Sequence, residues 1–324
     1  MGNSKKGIYK RANTDWLANS KYGIGIHWTA QTVPRRGPSL PFKKAVEKFD
    51  VKEFIQMIET LGANYIIFTS THAIQYLPGP NPIVDKILPG RTCERDLLME
   101  IAKGLYKKGI LTIFYYNHSC NDKNDILWQK AVGYQNKDKN QLVDNLCNII
   151  SWMGEHYGKL ISGWWFDSAY CLDPKGPHNT AQAMGNFQFP WEHYTLAAKV
   201  GYSQRLVTYN AGVNQVYLYT EWQDYWAGEM VDLEHPPKGR FAENGLQWHG
   251  WVCLDDKNWV HTIPNTDLPP LLYSDEEVIN FVNKCIIHKA AITFNIGVYQ
   301  DGTTSLQVIR QIQTLKSNII VNNI

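Results

Sequence analysis

Val51-Lys-Glu-Phe-Ile-Gln-Met-Ile-Glu-Thr-Leu61, then Gly62-Ala-Asn, then Tyr65-Ile-Ile-Phe-Thr-Ser70 is the stretch that decides the fold class. Phe54, Ile55, Ile58 and Leu61 fall at i, i+1, i+4 and i+7, the stripe of a helix laid on a sheet. Gly62 comes right after the last apolar position, where a helix ends. Residues 65–70 are short, apolar and rich in β-branched or aromatic side chains, so they read as a buried strand. A helix feeding such a strand through a tight turn is half of a βαβ unit.

The alternation continues in both directions. Strand-like runs occupy 22–28, 65–70, 111–117, 161–167 and 205–210, with weaker ones at 216–219 and 250–255 and a clear last one at 292–297. Helical patterns occupy 51–61, 94–107, 140–157, 191–200, 275–288 and 305–317. Eight strands alternating with helices predict an α/β chain closed into a (β/α)8 TIM-like barrel. No linker or composition break interrupts it, so 1–324 is expected to be a single catalytic domain with its core at about 15–315. The long connections 37–47, 75–91, 169–190 and 256–273 are rich in Pro, Gly and Asn and are expected to shape the mouth of the barrel.

Composition narrows the function. A net charge of +2 with 19% charged residues gives no pull toward nucleic acid or acidic membranes, and neither is expected as a partner. The basic run Lys5, Lys6, Lys10 and Arg11 reads as a solvated tail. Six scattered cysteines without a Cys-x-x-Cys pair predict reduced, buried thiols. With no apolar run of spanning length and no signal-peptide pattern, a cytoplasmic location is expected, or a periplasmic or secreted one if a leader was trimmed. Met1-Gly2 lacks the Ser or Thr at position 6 that myristoylation requires. Aromatic residues reach 13%, and although most must fill the core, flat rings also suit the C–H faces of sugars.

In such a barrel, catalytic side chains sit at the carboxyl ends of strands. Those ends read His27-Trp28, Ser70-Thr71-His72, Tyr115-Tyr116-Asn117-His118, Asp167, Asn210, Asp224 through Glu229, Asp255-Asp256 and Asn295. Asp167, closing Trp164-Trp165-Phe166-Asp167, is either a structural turn cap or a catalytic carboxylate. A glycosidase needs a second carboxyl group across the scissile bond. Glu221, Asp224 and Glu229 are the candidates, set among Trp222, Tyr225 and Trp226. His27 and His72 are buried core histidines, donors to sugar hydroxyls, or ligands of a metal-dependent hydrolase. Against a metal, His27 is flanked by Ile26 and Trp28 and no His-Glu-x-x-His occurs. Gly23-Ile-Gly25 lacks the third glycine of a dinucleotide fingerprint.

Together these motifs resemble family 29 of the glycoside hydrolases, the α-L-fucosidases. Lys21-Tyr-Gly-Ile-Gly-Ile-His-Trp28 is similar to the family's opening Phe-Gly-Ile-Phe-x-His-Trp-Gly. Leu61 through His72 is similar to the unit ending Thr-x-Lys-His-His-Asp-Gly-Phe, and Gly109 through Tyr116 to the strand supplying a pocket tyrosine. Trp165-Phe-Asp167 resembles the nucleophile motif, Asp224-Tyr225 through Glu229 the Gly-Asp-Tyr-x-Thr-Pro-Glu segment, and Thr293 through Gly302 the last strand. The resemblance covers about residues 15–315, without the C-terminal β-sandwich common in the family. It implies a retaining, exo-acting double displacement on an oligosaccharide or glycoconjugate, with Asp167 as nucleophile and no cofactor or metal. His27, Trp28, His72, Tyr116, Trp165, Asn210 and Trp226 would bind the sugar. Oligomeric state is left open, homo-oligomer included.

The departures bear on substrate and acid/base. Ala73 stands where the family has its second histidine, and Asn210-Ala211-Gly212 lacks the pocket arginine. Trp248-His249 replaces the Trp-Glu that carries the acid/base in part of the family, leaving Asp224 as first choice and Glu229 as second. The sugar is then expected to be an α-L-fucoside or a related 6-deoxy or L-configured glycoside. A catalytically silent sugar-binding barrel is the rival reading.

Overall fold

The computed structural model describes residues 11–120, 123, 125–177, 180–255 and 257–320. Met1-Gly2, Lys5, Lys6, Lys10 and Asp256 lie outside the described residues. Arg11, expected in a solvated tail, instead donates through Nη1 to the Gly245 carbonyl at 2.8 Å and through Nε to that of Glu221 at 3.3 Å.

Seven strands form one all-parallel sheet: β1 (Gly23–Ile26), β2 (Tyr65–Thr71), β3 (Leu111–Asn117), β4 (Gly163–Asp167), β5 (Leu206–Tyr209), β6 (His249–Cys253) and β7 (Ala291–Ile296). Their order is β5-β4-β3-β2-β1-β7-β6, curled into a half-barrel with helices outside. Each helix is held by its sequence. Asp50 accepts from Glu53 N to start Val51–Leu61, and Asp96 accepts from Met99 N to start Leu97–Lys107. Ser274 and Glu277 form a capping box for Asp275–His288. The connections 37–47 and 75–91 are not wholly loops. They carry short helices Phe42–Lys48 and Pro82–Ile87, the second capped by Asn81 with Pro82 at its first position.

The strand expected at 216–219 does not form. Its tyrosines pack elsewhere, Tyr219 against Trp191 with ring centroids 4.8 Å apart. Residues 224–230 lie between β5 and β6 instead. Asp224 N donates to Val207 O at 2.9 Å, Trp226 N to Gln247 O at 3.0 Å and Met230 N to Trp251 O at 2.9 Å. Only isolated parallel bridges result, at Tyr225–Gln247 and Glu229–Trp251, because the left-handed Gly228 (φ +67°) breaks the extended run.

Strand side chains alternate between two buried layers. Ile24, Ile26, Ile66, Phe68, Phe114 and Phe166 face the helices in the larger core. Tyr65, Ile67, Ile113, Tyr115, Trp165 and Trp251 fill the inside of the curl. Burial on both faces explains why the strands read as continuous apolar runs rather than alternating ones. The inner layer is the floor on which the site is built.

Candidate active site

Asp167 ends β4 on the inner face, and its backbone leaves the strand through Ser168 in the left-handed region (φ +59°). That turn aims Ser168 N at Asp167 Oδ1, 2.7 Å away. Three more donors converge on the carboxylate. Tyr115 Oη (2.5 Å) and Asn117 Nδ2 (2.9 Å) donate to Oδ2, and Asn210 Nδ2 (2.9 Å) donates to Oδ1. Register explains the set: β3 and β4 pair Tyr115 with Trp165 and Asn117 with Asp167, so all four share one face. His118 braces the backbone from behind, its Nδ1 donating to the Asp167 carbonyl while Nε2 accepts from the Tyr194 hydroxyl.

Glu229 completes the pair. The second hydrogen of Asn210 Nδ2 goes to Glu229 Oε2 at 2.7 Å, so one amide holds both carboxyl groups. Gly212 N donates to Asn210 Oδ1 and fixes which way that amide faces. Burial, and then the charge of Asp167, push the Glu229 carboxyl up to about 7, with the Asn210 hydrogen bond pulling the other way. Gly228 makes this placement feasible. A Cβ there would fall on the His249 carbonyl oxygen, and its own carbonyl accepts from Trp251 N at 2.6 Å.

The two carboxyl groups open onto a cavity of about 90 Å³ walled by His27, His72, Tyr115, Trp165, Trp251 and Trp259. Tyr115 stacks on Trp165 at 5.2 Å and 15°, and Trp251 meets Trp165 edge-on at 4.8 Å. β1 can admit Trp251 only because residue 25 is glycine, since a Cβ there would overlap the indole. Asn295 Nδ2 donates to the Trp259 carbonyl, which turns Asn295 Oδ1 toward His27 Nδ1 at 2.7 Å. His27 therefore carries its proton on Nδ1 and keeps a lone pair on Nε2. Burial, then the neighbouring His72, bring its pKa down to about 3, so it is neutral. Among the described residues, no three His, Cys, Asp or Glu side chains cluster as metal ligands would.

His27, His72, Trp165, Asn210, Asp167 and Glu229 thus come together. Four expected site residues do not. Asp224 is buried in an ion pair with Lys199 (2.9 Å) and also accepts from Ala12 N and Val207 N, toward the amino end of β5. Glu229 follows five residues on, roughly 16 Å along an extended chain. Tyr116 points to the helix layer, against His118 and Phe166, because its neighbour Tyr115 takes the inner position. Trp28 packs on Phe42 and Phe49 and donates to Gln300 O. Trp226 turns outward and donates to Gln215 O. Tyr115, Asn117, Trp251, Trp259 and Asn295 are the site residues that sequence reasoning had not singled out for these roles.

The α-L-fucosidase family model matches residues 41–322 of this chain. No curated protein matches it in sequence. Among solved structures, the endo-fucoidan hydrolase MfFcnA9 from glycoside hydrolase family 107 is similar with a TM-score of 0.67 at 16% identity, covering 94% of this chain and 63% of that one. The α-L-fucosidase AlfC from Lactobacillus casei, in complex with α-L-fucose product, gives 0.63 at 16% identity over 94% of this chain and 98% of its own. The α-L-fucosidase isoenzyme 1 from Paenibacillus thiaminolyticus gives 0.66 at 16% identity over 94% and 74%. The chain spans less than two thirds of the endo-fucoidan hydrolase, and identities this low carry the fold alone.

Proposed function

Because this chain belongs to the α-L-fucosidase family, we propose that it is a retaining exo-α-glycosidase with Asp167 as nucleophile and Glu229 as acid/base. Its substrate in this reading is a terminal α-L-fucoside, or a related 6-deoxy or L-configured glycoside, on an oligosaccharide or glycoconjugate. We read the sheet as a (β/α)8 barrel whose sixth strand is reduced to residues 224–230.

The observation that carries the mechanism is the shared Asn210 amide. Hydrogen bonds of 2.9 and 2.7 Å from one nitrogen bring an oxygen of Asp167 and an oxygen of Glu229 within about 5.6 Å of each other, an approach that favours the close carboxyl pair of retaining enzymes (roughly 5–5.5 Å) over the wider pair of inverting ones (roughly 6.5–9.5 Å). Protonated Glu229 gives its hydrogen to the glycosidic oxygen as Asp167 attacks the anomeric carbon. The leaving alcohol departs and an ester joins Asp167 to the sugar. Glu229, now a carboxylate, takes a proton from water, whose oxygen displaces Asp167 and restores both groups. Neutral His27 accepts from a sugar hydroxyl through Nε2, and the Trp165, Trp251 and Trp259 rings cover its apolar face. The small size of the cavity supports removal of a terminal sugar over cleavage within a chain. At about 90 Å³ the cavity is well below the roughly 300–1,000 Å³ of ligand sites, so this reading needs its aromatic wall to open around a sugar.

The test is a panel of 4-nitrophenyl α- and β-glycosides, fucosides included, against wild type and Asp167→Asn. Turnover of an α-L-configured member by wild type alone is expected. Silence on the panel and on natural fucosylated oligosaccharides, with saccharide binding intact, would overturn the enzyme in favour of a binding barrel.

A further inference from the structure

A second and larger cavity, about 660 Å³, opens between the connection after β4 and the one after β5. Five aromatic residues line it: Phe187, Phe189 and Trp191 from the first connection's side, Tyr217 and Tyr219 from the second. Their rings brace one another, with Trp191 at 4.7 Å from Phe189 and 4.8 Å from Tyr219, and Tyr217 at 4.8 Å from Tyr219. Polar groups are set into this wall. Asp173 accepts from Trp191 Nε1 at 3.1 Å, and Tyr217 Oη donates to the Lys175 carbonyl at 3.3 Å. Tyr219, more than nine-tenths buried, has a hydroxyl with no hydrogen-bond partner among the described residues. A buried hydroxyl left so is costly unless something brings it a partner.

Tyr170 lies on the connection after β4, between Asp167 and the cavity-lining residues in sequence. It lies three residues beyond Asp167, and its phenol feels first the charge of Asp167 and then, more weakly, that of Glu229. It also lies within electrostatic reach of Tyr219. The walls of this cavity come from the connections that follow Asp167 at the end of β4 and Asn210 after β5, so the cavity lies at the same end of the sheet as the carboxyl pair.

We infer that this aromatic cleft binds the leaving-group side of the substrate, and that the leaving group is a neutral oligosaccharide of at least two pyranose rings. The volume falls within the roughly 300–1,000 Å³ of ligand sites and far exceeds what one aryl group fills. Half-exposed Phe187 and Tyr217 offer flat faces for sugar C–H patches, while Asp173 serves sugar hydroxyls. One acid and one base, Asp173 and Lys175, line the cleft without excess charge, which favours a neutral chain over a sulfated or uronic one. The inference rests on the glycosidase reading for its place in the reaction but not for its ligand.

Binding is measured by calorimetry with lacto-N-tetraose, cellotetraose and N-acetylchitotetraose, none of which carries a fucose for the catalytic pocket. At least one is expected to saturate wild type at millimolar concentration or below. Phe187→Ala and Tyr217→Ala, on separate connections and each half-exposed, are expected to weaken it about tenfold. No binding of any of the three, binding undiminished in both variants, or tighter binding of a heparin tetrasaccharide overturns the inference. With a fucosylated tetrasaccharide and 4-nitrophenyl α-L-fucoside as paired substrates, the variants should also lower the ratio of kcat/KM values about tenfold. If wild type turns over neither substrate the glycosidase reading fails, and the calorimetry still decides the cleft.

Discussion

Asp224 and Lys199 form a buried ion pair, Oδ2 to Nζ 2.9 Å, with the carboxylate side chain fully enclosed. Burial pushes the Asp224 pKa up and the Lys199 ammonium pulls it back down, so the pair is held by mutual need rather than by surplus attraction. Asp224 also accepts from Ala12 N and Val207 N, tying the segment before β1 to β5. These partners give it a structural place. Asp224→Ala strands the lysine and is expected to cost about 3–5 kcal/mol of stability, read as a lowered urea midpoint. The folded fraction should keep wild-type kcat, and a variant that stays fully stable but loses turnover would return the acid/base role to Asp224.

Glu229→Ala should behave in the opposite way. With the acid removed, expulsion of a poor leaving group slows by about 10²–10⁴-fold, while an aryl glycoside with a good leaving group suffers less in the first step. Azide should restore turnover through the vacated space and give a glycosyl azide of the same anomeric configuration as the substrate. Equal loss on all substrates with no azide product would remove Glu229 from the mechanism.

Raised to about 7, the Glu229 carboxyl is expected, as the proposed acid/base, to set the alkaline side of the rate profile. kcat/KM is expected to fall about tenfold per unit above pH 7, as the proton donor ionises. Asn210 lowers the Glu229 value, so Asn210→Ala should move that limb to higher pH as well as slow the reaction. Stability follows the same proton. Because the folded value stands above the ordinary 4.5, the protonated group favours the fold fully below about pH 4.5, and that contribution is lost as pH rises through about 7. Glu229→Gln should match wild type near pH 4.5 and be more stable at pH 8. The gain is at most about 1.4 kcal/mol for each pH unit that separates the folded and unfolded values, and smaller in practice because the carboxyl reaches solvent. A midpoint difference that does not change between pH 4.5 and 8 would contradict this.

Strand ends were readable where one side chain terminates a regular strand. Asp167, His27 and His72 stand at such ends and need only the barrel rule to be found. The tyrosine of β3 was less readable: both faces of β3 are buried, so hydrophobicity gives no parity, and Tyr115 and Tyr116 are adjacent and alike. Only the register with β4, pairing Tyr115 with Trp165, shows which one faces Asp167. The placing of Asp224 and Glu229 was hidden for a different reason. Residues 224–230 carry no strand periodicity, since Gly228 interrupts it, and without a strand there is no carboxyl end to read. Trp259 and Asn295 depend on contact between the 256–273 connection and β7, a separation at which one sequence holds no signal.

Gly228 offers the sharpest separation of backbone geometry from chemistry. At φ +67° any other residue is strained, and its Cβ would overlap the His249 carbonyl. Gly228→Ala must therefore push residues 224–230 off β6, weakening the bond from Trp251 N to Gly228 O and the one from Met230 N to Trp251 O. Glu229, next in the chain, moves with them and parts from the Asn210 amide it shares with Asp167. A stability loss of about 1–3 kcal/mol is expected, the usual range for overpacking. Activity should fall much further than the unfolded fraction explains, and the alkaline limb should move down as Glu229 separates from the Asp167 charge and gains solvent. Loss of activity in proportion to unfolding alone, with an unmoved pH profile, would mean that Gly228 serves the fold and leaves the carboxyl pair in place.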